Sequence, residues 1–153
     1  MLSTGDIPLT HIDGTPIFQT PQDRANEQQF ATVLETSWGC ELRHFGPLCA
    51  IDWYASRYGR VVGLLELRCR THASGEYPTV FLSCQKWLAL SFAANAFGCP
   101  ALYVVGFTDD IRFVSIEKVD ARHPMVRGNA REPHRFEPMI EVPIELMAKL
   151  HAL

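Results

Sequence analysis

Apolar residues recur with two different periods along this chain, and the changes of period mark its elements. After Thr20-Pro21, a Thr cap with Pro in the first turn, Phe30, Val33, Leu34 and Trp38 recur at helical spacing, and Gly39 stands where that helix would stop. Residues 48–55 (LCAIDWYA) and 61–70 (VVGLLELRCR) read as strands, and Arg57-Tyr58-Gly59-Arg60 predicts a hairpin turn between them. Residues 79–82 read as a short strand or a lead-in. Ser83 then caps a predicted helix over 84–97, ended by Gly98 and Pro100. Residues 101–107 (ALYVVGF) are apolar at nearly every position, as in a strand buried on both sides. After Asp109-Asp110, residues 111–117 alternate cleanly. Residues 120–138, rich in Arg, His, Pro and Gly, predict a loop, and 143–151 (PIELMAKLH) predict a short final helix. Residues 1–19, with Pro8, Gly14 and Pro16 and no sustained period, predict an extended arm ahead of a single domain over 20–153. This order of helices and strands predicts a small mixed α/β domain.

Composition narrows the reading. The 153 residues are 47% hydrophobic and 20% charged, enough for a real core, which excludes a disordered or fibrous chain. Fourteen Lys and Arg against seventeen Asp and Glu give a net charge of -3, so any contact with a polyanion has to come from a local patch. The cysteines at 40, 49, 69, 84 and 99 are odd in number and form no C-x-x-C pair. That argues against a closed zinc site and a disulfide framework and for a reducing, cytoplasmic compartment. The histidines, at 11, 44, 72, 123, 134 and 151, show no zinc-helix spacing. The opening MLSTGDIPLTHIDG lacks the basic start and apolar run of a secretory signal. Trp87 to Thr108 is uncharged for 22 residues, a membrane-span length, but Asn95 and Gly98-Cys99-Pro100 break it into a buried helix, a turn and a buried strand. No glycine-rich phosphate loop is present.

The hairpin carries the candidate chemistry. With the turn centred on Gly59, facing residues have numbers that sum to 118, which sets Asp52 opposite Glu66. Their Cβ atoms would lie about 4.5–5.5 Å apart on one face, and Arg68 would share that face. Like charges so placed repel. A divalent cation held by both carboxylates, a salt bridge from Arg68, or solvent exposure would each relieve them. Ile51, Trp53, Leu64, Leu65 and Leu67 around the pair favour the cation over an ordinary surface site. A slip of one residue in the turn would send the two acids to opposite faces.

This arrangement resembles the PD-(D/E)XK nuclease superfamily, in which a helix carries a supporting Glu, one strand an Asp, and the next strand Glu-x-Lys. Here the corresponding residues are Glu35, Asp52 and Glu66-Leu67-Arg68. The stretches ELRCR (66–70), YPTVFLSCQKW (77–87), ALYVVGFTDDIRFVSI (101–116) and EPMIEVPIELM (137–147) resemble small phage-encoded members, so the likeness covers roughly residues 28–150. It implies a restriction-endonuclease-like α/β core, a small mixed sheet flanked by helices. It also implies hydrolysis of DNA phosphodiesters with Mg2+ or Mn2+ held by Asp52, Glu66 and the Leu67 carbonyl, in the cytoplasm of a bacterial host. A homo-oligomer would suit cutting of two strands.

One departure stands out: Arg68 replaces the family's lysine, and arginine stays charged and relays protons poorly. Lys86 on the next helix could bring an ammonium to the same site. Alternatively the metal alone could generate the hydroxide. A third outcome is a protein that binds DNA, or serves assembly or virion structure, without cutting. Gln85 resembles a helix glutamine of some branches. Candidate DNA contacts are Arg57 and Arg60 in the turn and Arg70 beside Arg68. Arg122, Arg127, Arg131 and Arg135 join them, with His123 and His134, in a stretch where Glu132 is the lone acid.

Overall fold

The computed structural model describes residues 21–46, 48–128 and 134–150; the expected arm and Arg131 lie outside them. Helix α1 (Pro21–Trp38) ends at Gly39, whose φ of 61° suits a glycine and whose N–H donates to Glu35 O at 2.9 Å. Strand β1 (Glu41–His44) follows, with Leu42 as its buried residue, too short a pattern to announce itself in the sequence. The expected strand at 48–55 is shifted. Leu48, Cys49 and Ala50 are exposed and irregular, and strand β2 begins only at Trp53 and runs to Arg57.

Strand β2 pairs antiparallel with β3 (Arg60–Cys69) across Tyr58-Gly59, both at positive φ as a two-residue hairpin turn requires. At the turn, Arg57 faces Arg60 and Ser56 faces Val61, pairs that sum to 117. A register shift follows, and Ala55 faces Gly63, Tyr54 faces Leu64 and Trp53 faces Leu65, all summing to 118. Val62 is the extra residue of a β-bulge. Without it, Asp52 would face Leu65 and lose its place beside Glu66.

Strand β4 (Thr79–Ser83) leads into helix α2 (Cys84–Phe97), and α2 returns to β5 (Ala101–Gly106), which lies parallel to β3. A parallel pair needs such a crossover. Strand β6 (Ile111–Ser115) pairs antiparallel with β5. The region read as a loop instead contains β7 (Met125–Gly128) and β8 (Phe136–Pro143). Ile140 and Val142 of β8 alternate into the core, a pattern masked by the polar composition around it. The expected final helix is a single 3-10 turn, Ile144–Leu146, followed by β9 (Ala148–Lys149) against β6. Ile144 and Met147 are both buried, and three-residue spacing suits a tight turn. The strands form a six-stranded sheet, β1-β2-β3-β5-β6-β9, and a three-stranded sheet, β4-β8-β7.

The six-stranded sheet is covered on both faces. Leu65, Leu67 and Val104 pack with Ala31 and Leu34 of α1. Leu64, Tyr103 and Val105 pack with Leu90 and Ala93 of α2 and with Val80, Leu82, Ile140 and Val142 of the smaller sheet. Strand β3 is therefore apolar at nearly every position, and a charge there stands out. No helix among the described residues is long and apolar enough to cross a membrane.

Helix α1 presses closely on β5. A Cβ added to Gly106 would come within 2.6 Å of the Phe30 ring. Gly106→Ala is expected to cost about 1–3 kcal/mol in urea unfolding, with much of the loss recovered when Phe30→Ala is added.

Candidate active site

The site forms where β2 stops short of β3. Asp52 lies one residue ahead of β2, and its carbonyl accepts from Phe45 N–H at 3.0 Å. Glu66 and Arg68, two residues apart on β3, point to the α2 side. Ser83 Oγ accepts from the Lys86 N–H at 3.1 Å, which starts α2 and sets Lys86 in its first turn. The backbone completes the fork. Leu64 and Arg70 donate their N–H groups to Pro100 O and Gly106 O on the β5 side. Peptide groups alternate along a strand, so the Leu67 carbonyl points to the opposite edge, past the end of β2, where Asp52 stands.

Four charges meet there. Lys86 Nζ lies 2.7 Å from Asp52 Oδ1 and 3.4 Å from Glu66 Oε2, and it donates to Ala50 O at 2.9 Å. Arg68 Nη2 lies 2.7 Å from Glu66 Oε1. Glu66 is 1% exposed, while Asp52 and Lys86 are partly open to solvent. Neither buried Glu66 oxygen has a donor aligned in hydrogen-bond geometry, so both retain acceptor capacity. Burial pushes the Glu66 carboxyl up and Asp52 adds to it; Arg68 and Lys86 oppose them, and the group ends at about 7. Burial also pushes Asp52 up, but Lys86, by charge and hydrogen bond, and then Arg68 outweigh it, and Asp52 lies below the ordinary carboxylate range. The charge of Glu66 holds Arg68 still more firmly protonated.

Glu35 stands elsewhere. Its Oε2 accepts from Leu42 N–H at 3.1 Å, and it lines an open groove beside β1 with Gln28, Glu41 and His44. Glu27, earlier on α1 and 8% exposed, adds a minor charge contribution at Arg68. Eight residues of helix separate the two, about 12 Å of rise, so both cannot serve one site. Glu27 shares a helical stripe with the fully buried Ala31 and Leu34. An acid on an apolar stripe was the available signal.

The cations divide. Arg57 donates from Nε to Gly39 O at 3.0 Å and from Nη2 to Trp38 O, closing the C-terminus of α1 rather than reaching outward. Arg122 is exposed but forked on Asp120, at 3.0 and 2.9 Å, and those bonds hold Asp120 at about 2. Arg70 stands against Tyr103, the cross-strand neighbour of Arg68's partner Glu66. Tyr103 in turn donates to Phe81 O at 2.8 Å. Arg127 lies over the Phe81 ring at 3.8 Å. Arg60, Gln85, His123, His134 and Arg135 are exposed.

The raised Glu66 value has a consequence for stability. The folded chain holds this proton up to about 7, whereas an ordinary glutamate releases it near 4.5. Stability contributed by the neutral form is complete below about pH 4.5 and falls as pH rises through 7. In urea unfolding with chelator present, the wild type is expected to lose stability relative to Glu66→Gln across that window. Parallel pH profiles would show instead that Glu66 is ionised throughout.

The comparisons agree with this geometry. The Holliday junction resolvase Hjc of Archaeoglobus fulgidus superposes with a TM-score of 0.59 over 84% of this chain and 92% of its own, at 14% identity. That likeness shows a restriction-endonuclease-like fold. No curated protein matches the chain. A family model described as "Phage putative PDDEXK endonuclease" matches residues 14–150. With nearly the whole chain inside that match, and two facing acids at the fork of its central hairpin, the protein belongs to the phage PD-(D/E)XK endonuclease family.

Proposed function

We propose that the chain hydrolyses DNA phosphodiesters with a divalent cation, Mg2+ or Mn2+, held by Asp52, Glu66 and the Leu67 carbonyl. The observation that carries this reading is the meeting of Asp52 and Glu66 at the open end of the β2–β3 fork, with Lys86 and Arg68 against them. The donors suit the ion. Among the described residues no three His, Cys, Asp or Glu side chains gather into a cage. Mg2+ commonly takes one or two carboxylates and keeps several waters. Glu66 brings buried acceptor oxygens, and the Leu67 carbonyl adds a further hard ligand. Such an ion lowers the pKa of a bound water and draws charge from the phosphate.

The chain's own residues supply the rest. Lys86 and Arg68 place two positive charges beside the carboxylates, where they neutralise charge on a phosphoryl group. Lys86 stands in for the family lysine, and Arg68 contributes charge but not proton relay. Arg60, Arg70, Arg127 and Arg135, and Arg131 from the segment outside the described residues, are candidates for DNA backbone contacts. Arg57 and Arg122 are occupied within the chain. A phage nuclease of this kind works in the cytoplasm of its bacterial host.

A second reading has its own support. Lys86 and Arg68 already balance both carboxylates, so the cluster is stable as an ion-pair network, and the chain could hold DNA without cutting it.

The test is cleavage of plasmid, single-stranded and branched DNA with Mg2+ or Mn2+. The branched substrate is included because Hjc is a Holliday junction resolvase. Metal-dependent cleavage lost in Glu66→Gln is expected. Lys86→Ala should lose about 10²–10³-fold in kcat, and Arg68→Lys should retain activity. Apart from activity, Mg2+ should raise the melting temperature of the wild type more than that of Glu66→Gln, and more at pH 8 than at pH 5. Salt-sensitive DNA binding by folded protein, with no cleavage and no thermal shift, would select the second reading.

A further inference from the structure

Strand β8 outruns the strand it packs beside. Strand β4 pairs with it only from Ser83–Met139 to Thr79–Pro143, so Phe136, Glu137 and Pro138 continue past the end of β4, about 10 Å of strand, with β7 alongside. Side chains alternate, so the face that sinks Ile140 and Val142 into the core carries Pro138 and Phe136 further out. Val126 of β7 faces Pro138 and shares that face. Phe136 is 67% and Val126 71% exposed. Gly128 faces Phe136, and a Cβ there would stand 3.4 Å from the ring, which therefore lies against bare backbone.

This β7–β8 ribbon leaves the body at the N-terminal end of α2. Ser83, the last residue of β4 and the cap of α2, pairs with Met139, and Lys86 of the candidate site stands in the first turn of that helix. Burial, and then the charge of Glu137, push up the thiol of Cys84 at the same helix start. Beyond the Arg122–Asp120 pair, Arg127 and Arg135 stand against Glu137 as the one acid among the described residues from 121 to 138. We propose that Phe136, backed by Val126 and Pro138, is a wedge that stacks on an unpaired base of bound DNA. The inference rests on the reading that the chain acts on DNA, and it adds a residue that selects where on the DNA the chain sits.

Chemistry selects a base as the occupant. An exposed ring with apolar neighbours on a ribbon rich in arginine offers a π-face to a base and counter-charge to its backbone. A second copy of the chain would bring the same positive ribbon and be repelled. The seat on Gly128 places the ring before DNA arrives, which lowers the ordering cost of stacking. Opening a paired step costs unstacking energy, so a single ring gains most where a base is already unpaired.

The test measures binding of the full chain, in chelator, to a duplex with one unpaired base and to the same duplex fully paired. The wild type should favour the bulged duplex. Phe136→Ala should bind it about 5–150-fold more weakly, bind the paired duplex nearly as before, and lose the preference. Its melting temperature should be unchanged, because the ring lies outside the core. Phe136→Trp should keep the preference, and the bulged duplex should quench its added fluorescence. Equal loss on both duplexes, or a preference intact in Phe136→Ala, would overturn the wedge while leaving metal-dependent cleavage to stand. A lowered melting temperature that Phe136→Trp restores without restoring the preference would assign the ring to folding and overturn it as well. Binding to neither duplex would overturn the wedge, and cleavage would then decide the nuclease reading by itself. A Phe136-dependent preference in a protein that never cleaves would support the wedge and count against hydrolysis alone.

Discussion

A carboxylate taken out of water on a central strand has to be met by positive charge, and Glu66 sets that demand at the middle of this fold. Its neighbours above and below, Leu65 and Leu67, are as buried as it is, so the strand cannot turn to give it solvent. Arg68 is two residues along on the same face, and Lys86 arrives from the first turn of α2. The strength of that demand shows in the result: two cations beside Glu66 still leave its carboxyl raised to about 7. An unpaired charge at such depth would cost several kcal/mol, so the placing of α2 and the stability of β3 are tied together. The same cations hold Asp52 ionised nearby.

The fork that brings these groups together depends on chain geometry more than on charge. Strand β2 stops at Trp53, and β3 continues beyond Leu65 with its outer edge uncovered. Asp52 and the Leu67 carbonyl share that opening because Val62 bulges out of the pairing. One extra residue close to the turn decides which face an acid ten positions away presents. The crossover through α2, imposed by parallel pairing of β3 and β5, then delivers Lys86 to the same opening.

Positive charge elsewhere on the chain is divided between internal and external work. Arg57 closes α1 and Arg122 is paired with Asp120, so formal charge overstates what can meet DNA. Arg70, Tyr103, Phe81 and Arg127 instead form a row leading away from Glu66 across both sheets.

Local patterns were legible in the sequence wherever one residue type forces one conformation. Gly39, Gly59, Ser83 and Gly98 stand at ends and turns that the chain actually makes, and β3, α2 and β5 lie close to their expected positions. The facing of Asp52 and Glu66 was readable too, although by centring the turn on Gly59, which happens to absorb the bulge at Val62. Glu35, the acid expected from α1, accepts from the Leu42 N–H, because the turn after the helix brings β1 back against its last turns. The strands β7, β8 and β9 were missed because β8 and β9 are anchored on the distant strands β4 and β6, β7 is an exposed edge strand on β8, and the polar residues around them read as a loop or a helix. Residue types and short-range periods therefore determined the elements and the candidate acids. Tertiary structure alone decided how deeply each charge is buried and which partners it takes, because that depends on strand register, on helix rotation and on crossovers that bring together residues far apart in the chain.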